Sequence, residues 1–580
     1  MVLSAVLVTL RIWCRLGQAG GQVVAVLSSG AIVLVGSATG VLWGTRWGFG
    51  GLYSDAGFRT EMVTRFADSP RLSDYAYRGL PSYYPPLLPW VQGRIAAVLG
   101  VPGWAVMKPF QLVLCLLVPF LSWLLWRRVV ADPLAAWVAV VVAVGTALPM
   151  KPDEWLVLTL VVPWWLDVVR GVRGVRGVRV TGTGAPRTWG AGTVLGLLLL
   201  CHTFFFAPLA VATVLGVLFD VLARRPRTLA WRQALGIVAV AAVVSVVSWL
   251  PQLALRLRGA RSDNLQMRWS TVGFDVPFYP LHPTLASMTW IMGAVWIAAS
   301  WRRSDVSRGL GLAVAASLTY TLLGQVAQGW GVAVLPEKAQ ELSQALLLAA
   351  GTLGLAAAAA QLRGQIVRHW SGFPVKIAFF VPLMVVSVFG LSQWTSQHMQ
   401  RPAGPAQHMR YPNGSWPSGG PPRPTSHWHP WGVSPASDEP SAAEVERTWR
   451  ELTGRSLQDR TVLISARADV LATSPAFTFV SWKSIYSNPL GQFVRRLDEL
   501  RDLSACSDSG CAHLLLSRDA LEPVDGLILN RDEQGYYLTL TVDSFPNAWT
   551  SKTLHFRPEL FLGPGFRSRL LPDMVVISVR

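Results

Sequence analysis

Tyr53–Pro86, "YSDAGFRTEMVTRFADSPRLSDYAYRGLPSYYPP", carries four arginines and four acidic residues and ends in Tyr-Tyr-Pro-Pro. Long apolar runs flank it, from Gln22 to Leu42 and from Trp104 to Trp126. A spanning helix needs roughly 20 apolar residues, and Gln22 to Leu42 supplies them after a short basic leader with Arg11 and Arg15. The leader has the charge of a signal peptide, but the apolar run is too long for one and no Ala-x-Ala-like cleavage site follows. The run therefore reads as a first span, and the charged stretch as the first loop beyond it.

Composition supports a membrane protein. Of 580 residues 51% are hydrophobic and only 14% charged, with 27 Trp, which is too apolar for an ordinary soluble domain. A net charge of +18 would suggest nucleic acid in a soluble protein, and its placement decides otherwise. Arg127-Arg128, Arg170 to Arg187, Arg224 to Arg232, Arg302 to Arg308 and Arg363 to Lys376 fall between apolar runs where acids are sparse. They select one side, as the positive-inside rule expects. No nucleic-acid partner is expected, and "GVRGVRGVR" (Gly171 to Arg179) reads as a basic cytoplasmic linker.

Counting against these clusters gives about 11 spans, near residues 22–45, 104–126, 133–150, 154–170, 190–204, 206–223, 232–250, 284–301, 309–328, 340–360 and 375–393. The apolar run from Trp189 to Leu222 is broken at Cys201-His202-Thr203, because both of its flanks are basic and must share a side. Residues 1–393 thus read as a membrane domain and 394–440 as a Pro/Gly/Ser-rich extracytoplasmic linker, an extended tether or wrapping loop. Residues 441–580 read as an exported α+β domain. Strand-like alternation in "RTVLIS", "FTFVSW", "GYYLTLTV" and "MVVISV" surrounds a helix-like "PLGQFVRRLDELRDL". Cys506 and Cys511 are the one pair close in sequence, and an exported location permits a disulfide between them.

On this topology Asp55 to Asp74, Lys151 to Glu154, Arg256 to Asp275 and Pro336 to Lys338 face one outer side, with Lys108 and His202 at the same level. Partly desolvated charge beside a bilayer is costly, so its convergence points to a functional site. The competing reading is that loops are simply polar.

The order of features resembles the GT-C glycosyltransferase plan: an acid soon after span one, a Pro-Pro turn opening "YPPLLPWVQGRIAAVLG", then a span ending in Arg-Arg. A closer resemblance follows. "SDAGFRT", "ADSP", "LPSYYPP" and "PGWAVMKP" at one end, and "SNPLGQFVRR", "VDSFPNAW" and "LHFRPELF" at the other, are similar to the AftA family of actinobacterial cell-wall arabinofuranosyltransferases. The middle spans match that family only in hydropathy, and the long Pro-rich stretch departs from it. The resemblance implies a polytopic α-helical membrane protein of GT-C type with a C-terminal extracytoplasmic α+β domain. It also implies transfer of D-arabinofuranose from decaprenyl-phosphoryl-arabinose to the galactan of cell-wall arabinogalactan, priming arabinan synthesis. The residues alone reach an outer-facing lipid-linked sugar transferase. A relative using another sugar or acceptor, and a membrane transporter, are the alternatives.

Inverting transfer needs a base for the acceptor hydroxyl and cations for the departing phosphate. Asp55, soonest after span one and flanked by Ser54, Ala56 and Gly57, is the expected base, with helix capping as its competing role. Arg59, Lys108, Arg268 and Lys338 are the candidate phosphate-binding cations; headgroup contact at the membrane rim is their alternative. Glu61, Asp68 and Asp74 are expected either to replace Asp55 or to hold acceptor hydroxyls, although Glu61 would point about 120° away from Asp55 on one helix. Asp153 and Glu154 are further substrate-binding candidates, with capping of the fourth span as their alternative, and His202 is more often a polar break than a catalyst. No nucleotide signature appears, and no metal ligands are assigned; the only cofactor this reading admits is a loosely held Mg²⁺, Mn²⁺ or Ca²⁺.

Overall fold

The computed structural model describes residues 19–172, 185–222, 231–263, 285–369 apart from 331 and 333, 394–421, 439–464, 467–518, 521–544 and 547–580. Arg268, the basic leader, the expected span 375–393 and linker residues 422–438 lie outside the described residues.

The chain opens with α1 (Ala19–Val41), α2 (Asp55–Asp68), α3 (Leu87–Leu99), α4 (Gly103–Trp126), α5 (Asp132–Gly145) and α6 (Pro152–Val172). It continues with α7 (Ala185–Cys201), α8 (Phe206–Leu222), α9 (Trp231–Val244), α10 (Val246–Leu257), α11 (Leu285–Ser300), α12 (Asp305–Gly329) and α13 (Pro336–His369). Among the described residues four helices are long and apolar enough to cross a membrane: Gly20–Val41, Gly103–Trp126, Asp305–Ala327 and Pro336–Gln361. The span expected at 232–250 is instead two helices, α9 and α10, meeting at 79°. Ser245 sits at the break, and its hydroxyl donates to the Ala241 carbonyl, a local bond that competes with straight helix geometry. α10 then exposes Trp249, Leu250, Leu253 and Leu257, the pattern of a helix lying in a membrane interface.

The break read at His202 is present, since α7 ends at Cys201 and α8 starts at Phe206. α2 and α3 form the first loop's helical wall. Their contact is close because α3 presents Gly93, where a Cβ would come within 2.5 Å of the Phe66 backbone.

Residues 394–421 are folded against the membrane helices and are not extended. α14 (Arg401–Gln407) accepts from the Gly50 amide through Pro402 and from the Thr45 hydroxyl through Ala406, while Met409 accepts from the Trp47 indole. Met399, Ala403 and Ala406 are fully buried there, so apolar residues scattered among the prolines pin the segment down.

The C-terminal region contains α15 (Ala442–Thr453), α16 (Ala468–Thr473), α17 (Phe493–Ala505) and α18 (Ser509–Ser517). Their sheet is formed by β1 (Thr461–Ile464), β2 (Phe477–Thr478), β3 (Gly526–Asp532), β4 (Gly535–Ser544), β5 (Asn547–Phe556), β6 (Phe566–Leu571) and β7 (Met574–Val579). β1 is parallel to β2 and β3, and the remaining pairings, β3 with β4 and β7, β4 with β5, and β6 with β7, are antiparallel. Cys506 and Cys511 form a disulfide at the junction of α17 and α18. The largest apolar core joins Trp47, Phe66, Trp126 and Trp155 from the N-terminal helices to Ala468, Trp482 and Tyr486 from this region. The sheet region is thus packed onto the first loop.

Candidate active site

α2 begins where Ser54 takes a positive φ of 53°, a backbone position that non-glycine residues adopt rarely and that clusters at functional sites. The turn aims Asp55 into a cavity of about 520 Å³. Asp55 does not cap its helix through its side chain. Its Oδ2 lies 2.7 Å from Lys151 Nζ and 3.6 Å from an Arg59 nitrogen, and its Oδ1 accepts from the Tyr486 hydroxyl at 2.6 Å. Burial pushes the Asp55 carboxyl up, but Lys151 and Arg59 outweigh it and hold the group well below the carboxylate range. Burial, with Asp55 opposite, raises Tyr486 well above its ordinary value, so the hydroxyl keeps its proton and donates.

Arg59 forms a fork onto Asp153, with Nε at 2.9 Å and Nη2 at 3.1 Å, and Nη2 also donates to Glu154 at 3.0 Å. Glu154 is paired in turn with Lys338, which reaches Glu341 at 3.0 Å. His202 lines the same cavity against Phe205. Five sequence candidates besides Asp55 therefore meet here: Arg59, Asp153, Glu154, His202 and Lys338. They come from α2, the start of α6, the break after α7 and the first turn of α13.

The other candidates lie elsewhere. Lys108 donates to the carbonyls of Leu42 and Thr45, tying down the end of the first span. Asp74 accepts from the Ala76 and Tyr77 amides and from the Asn488 side chain, which organises the loop. Asp68 accepts from Gln458 and lines a second cavity. Glu61, only 3% exposed, accepts from the Trp482 indole at 3.3 Å, and its Oε2 has no partner among the described residues. Six residues along α2 from Asp55, it turns to a different side of the helix and faces the buried seam with the C-terminal region.

Burial pushes the Glu61 carboxyl up to about 8, against a small opposing effect of Trp482. The folded state therefore binds a proton that the unfolded state releases near 4.5, so stability falls as pH rises from about 4.5 to about 8. Glu61→Gln should flatten that slope and raise the melting temperature at pH 7.5, as measured by thermal unfolding across pH in detergent.

Lys151, which the sequence groups with Asp153 and Glu154 on the outer side but which is not among the site candidates, lines the cavity, as does Glu341, three residues after Lys338. The aromatic stretch "FVSWKSIYSN", Phe479 to Asn488, belongs to the C-terminal region. The structure brings Lys483 and Tyr486 of that stretch into the cavity. Three loop tyrosines fasten it there: Tyr75 donates to the Tyr486 carbonyl, Tyr84 to the Ile485 carbonyl, and Tyr77 bonds Ser487. Burial, aided by Lys151 and opposed by Asp55, pushes Lys483 down to about 8.

Asp153, Glu154 and His202 place ligand atoms within 4.8 Å of one another, and His202 Nε2 has no partner among the described residues. Both Asp153 oxygens are nevertheless met by Arg59, and those of Glu154 by Arg59 and Lys338. A divalent ion would have to displace two cations, so the residues present fit a metal poorly.

Two family models match the chain: arabinofuranosyltransferase N terminal over residues 1–388, and arabinofuranosyltransferase A C terminal over residues 432–579. The chain belongs to the arabinofuranosyltransferase A family. It is a glycosyltransferase of the membrane. The galactan 5-O-arabinofuranosyltransferase of Mycobacterium leprae (strain TN) is 27% identical over 552 residues, covering 92% of this chain and 82% of its own. The enzyme of the same name from Corynebacterium glutamicum is 24% identical over 553 residues, covering 89% and 77%. ArnT from Cupriavidus metallidurans, solved bound to undecaprenyl phosphate, aligns with a TM-score of 0.51 at 14% identity over 97% of this chain and 98% of its own. The mycobacterial arabinofuranosyltransferase AftD aligns at 0.51 with 15% identity, over 95% of this chain and 40% of its own. These likenesses give the arabinofuranosyltransferase a GT-C fold.

Proposed function

We propose that this arabinofuranosyltransferase moves D-arabinofuranose from decaprenyl-phosphoryl-arabinose to the galactan chain of arabinogalactan with inversion, priming arabinan synthesis. The observation that carries the reading is the Asp55 carboxylate suspended between Lys151 and Tyr486 in a cavity rich in cations. The relatives' names supply the acceptor, and the polyprenyl phosphate held by the fold neighbour ArnT is consistent with a lipid-linked donor.

In this reading the galactan hydroxyl gives its proton to Asp55 as its oxygen bonds to the anomeric carbon. The bond from that carbon to the donor phosphate breaks, and its electron pair leaves on the phosphate oxygen. Lys151 and Arg59 are placed to meet that growing charge, with Lys338 behind them. They also explain how a carboxylate held so acidic at rest becomes a base. A phosphate that draws Lys151 and Arg59 toward itself weakens their hold on Asp55, raising its proton affinity as the donor binds. Tyr486 positions the carboxylate through its hydrogen bond.

The same reading places residues 1–393 in the membrane with about 11 spans and residues 441–580 outside the cytoplasm. Its support is charge placement. Arg127, Arg128, Arg187, Arg302 and Arg303 lie at helix ends away from the loops that converge on Asp55, as the positive-inside rule requires of a cytoplasmic face.

Purified protein supplied with labelled decaprenyl-phosphoryl-arabinose and a β-galactofuranosyl oligomer should label the oligomer. Label from a polyprenyl-phosphate hexose and none from the arabinose donor would overturn the reading. Lys483, a cation below about pH 8, also faces the site. Donor KM should therefore rise above that pH, and Lys483→Arg should move the rise to higher pH in initial-rate profiles.

A further inference from the structure

A second cavity, of about 760 Å³, opens beside the first between α10, the loop at 78–81 and the start of the C-terminal sheet. α10 links the two. Ser248 lines the Asp55 cavity, whereas Pro251, Ala254, Leu255 and Arg258 line the second. These positions recur at intervals of three or four residues and so share one helix face, which runs about 15 Å from Ser248 to Arg258. The opposite wall is continuous as well: Leu80 and Pro81 border the second cavity, and Tyr83 and Tyr84 border the first. Gln252 donates to the Pro81 and Ser82 carbonyls, clasping the two walls along one seam.

We propose that the second cavity is a binding site for the body of the acceptor glycan, holding the galactan chain while its reacting residue lies at Asp55. This rests on the functional reading above and adds where the polymer runs. The lining mixes donors and acceptors, as sugar hydroxyls require because each both donates and accepts. Arg65 faces Asp459 at 3.0 Å and Asp68 at 4.0 Å, and the Asp459 side chain is 64% exposed. Leu72, Leu80, Ala254 and Leu255 supply apolar surface for the sugar C–H faces. Among the described residues Arg71 and Arg258 form no ion pair, which leaves their forks available to hydroxyls at the rim. An anionic lipid headgroup fits less well, because two of the four lining arginines are already paired, Arg65 with Asp459 and Asp68 and Arg78 with Glu522 and Asp525, and the Asp68 and Asp459 carboxylates stand beside them.

The test uses the full-length protein with Ala254→Trp, which fills the cavity from α10, and separately Arg71→Ala at the rim. Binding of a long galactan is measured without donor, and transfer to a galactofuranosyl disaccharide is measured with it. Long-galactan affinity should fall about tenfold, equivalent to ~1.4 kcal/mol, with disaccharide transfer unchanged. Unchanged galactan binding in both variants would overturn the site. So would intact galactan binding with lost binding to vesicles containing anionic lipid. A wild-type protein that fails to transfer arabinose counts against the functional reading, while the binding measurement still decides this one.

Discussion

Asp55→Asn should lower arabinose transfer by about 100- to 10,000-fold, the usual contribution of a positioned base, while the protein stays folded. The amide keeps the shape of the carboxylate and an oxygen for the Tyr486 hydroxyl, so loss of activity reports loss of proton acceptance and charge. A structural role must be separated from this, because the substitution leaves Lys151 without its 2.7 Å partner. Pairing it with Lys151→Met removes both charges. If Asp55 merely balances Lys151, the double variant is no worse than Lys151→Met alone; if Asp55 takes the proton, adding Asp55→Asn lowers the rate of Lys151→Met further. Single-turnover transfer at saturating donor, with thermal unfolding as the control for folding, separates the two.

Lys151→Met alone should cost about 100- to 1,000-fold, as removal of one preorganised group facing transition-state charge commonly does. Its second signature is in pH. Lys151 is the stronger of the two cations holding the Asp55 carboxyl low, so its removal raises that group and moves the acidic limb of the rate profile to higher pH. Lys151→Arg should restore part of the rate. A variant with reduced rate but an unmoved acidic limb would show that Lys151 does not act on Asp55.

Much of this site was legible because charge is scarce in a membrane chain. Asp55, Arg59, Asp153, Glu154, His202 and Lys338 stood out among apolar runs, and topology alone put them on one side. What could not be read was depth. Asp74 and Lys108 share that side but bond the chain's own loops, Asp68 bonds Gln458 at the second cavity, and only the fold separates a carboxylate facing the Asp55 cavity from one that does not. Glu61 carried a partial signal, since helix geometry already turned it away from Asp55. Lys483 and Tyr486 were hidden for another reason: they lie more than 400 residues after Asp55 in the chain, and no local pattern announces so distant a contact. Their signal was in the opening loop itself, whose Tyr75, Tyr77 and Tyr84 each bond the 485–487 segment. The bend between α9 and α10 escaped hydropathy because both arms are apolar and only Ser245 marks the break.

In the proposed mechanism a single displacement transfers the sugar, with Asp55 accepting the acceptor's proton on the face opposite the leaving phosphate. The anomeric configuration of the newly attached arabinose, read by NMR on the product of the wild-type enzyme and compared with the donor, is the decisive measurement. Inversion is the predicted result. Retention would require a covalent or same-face route and would contradict the role given to Asp55.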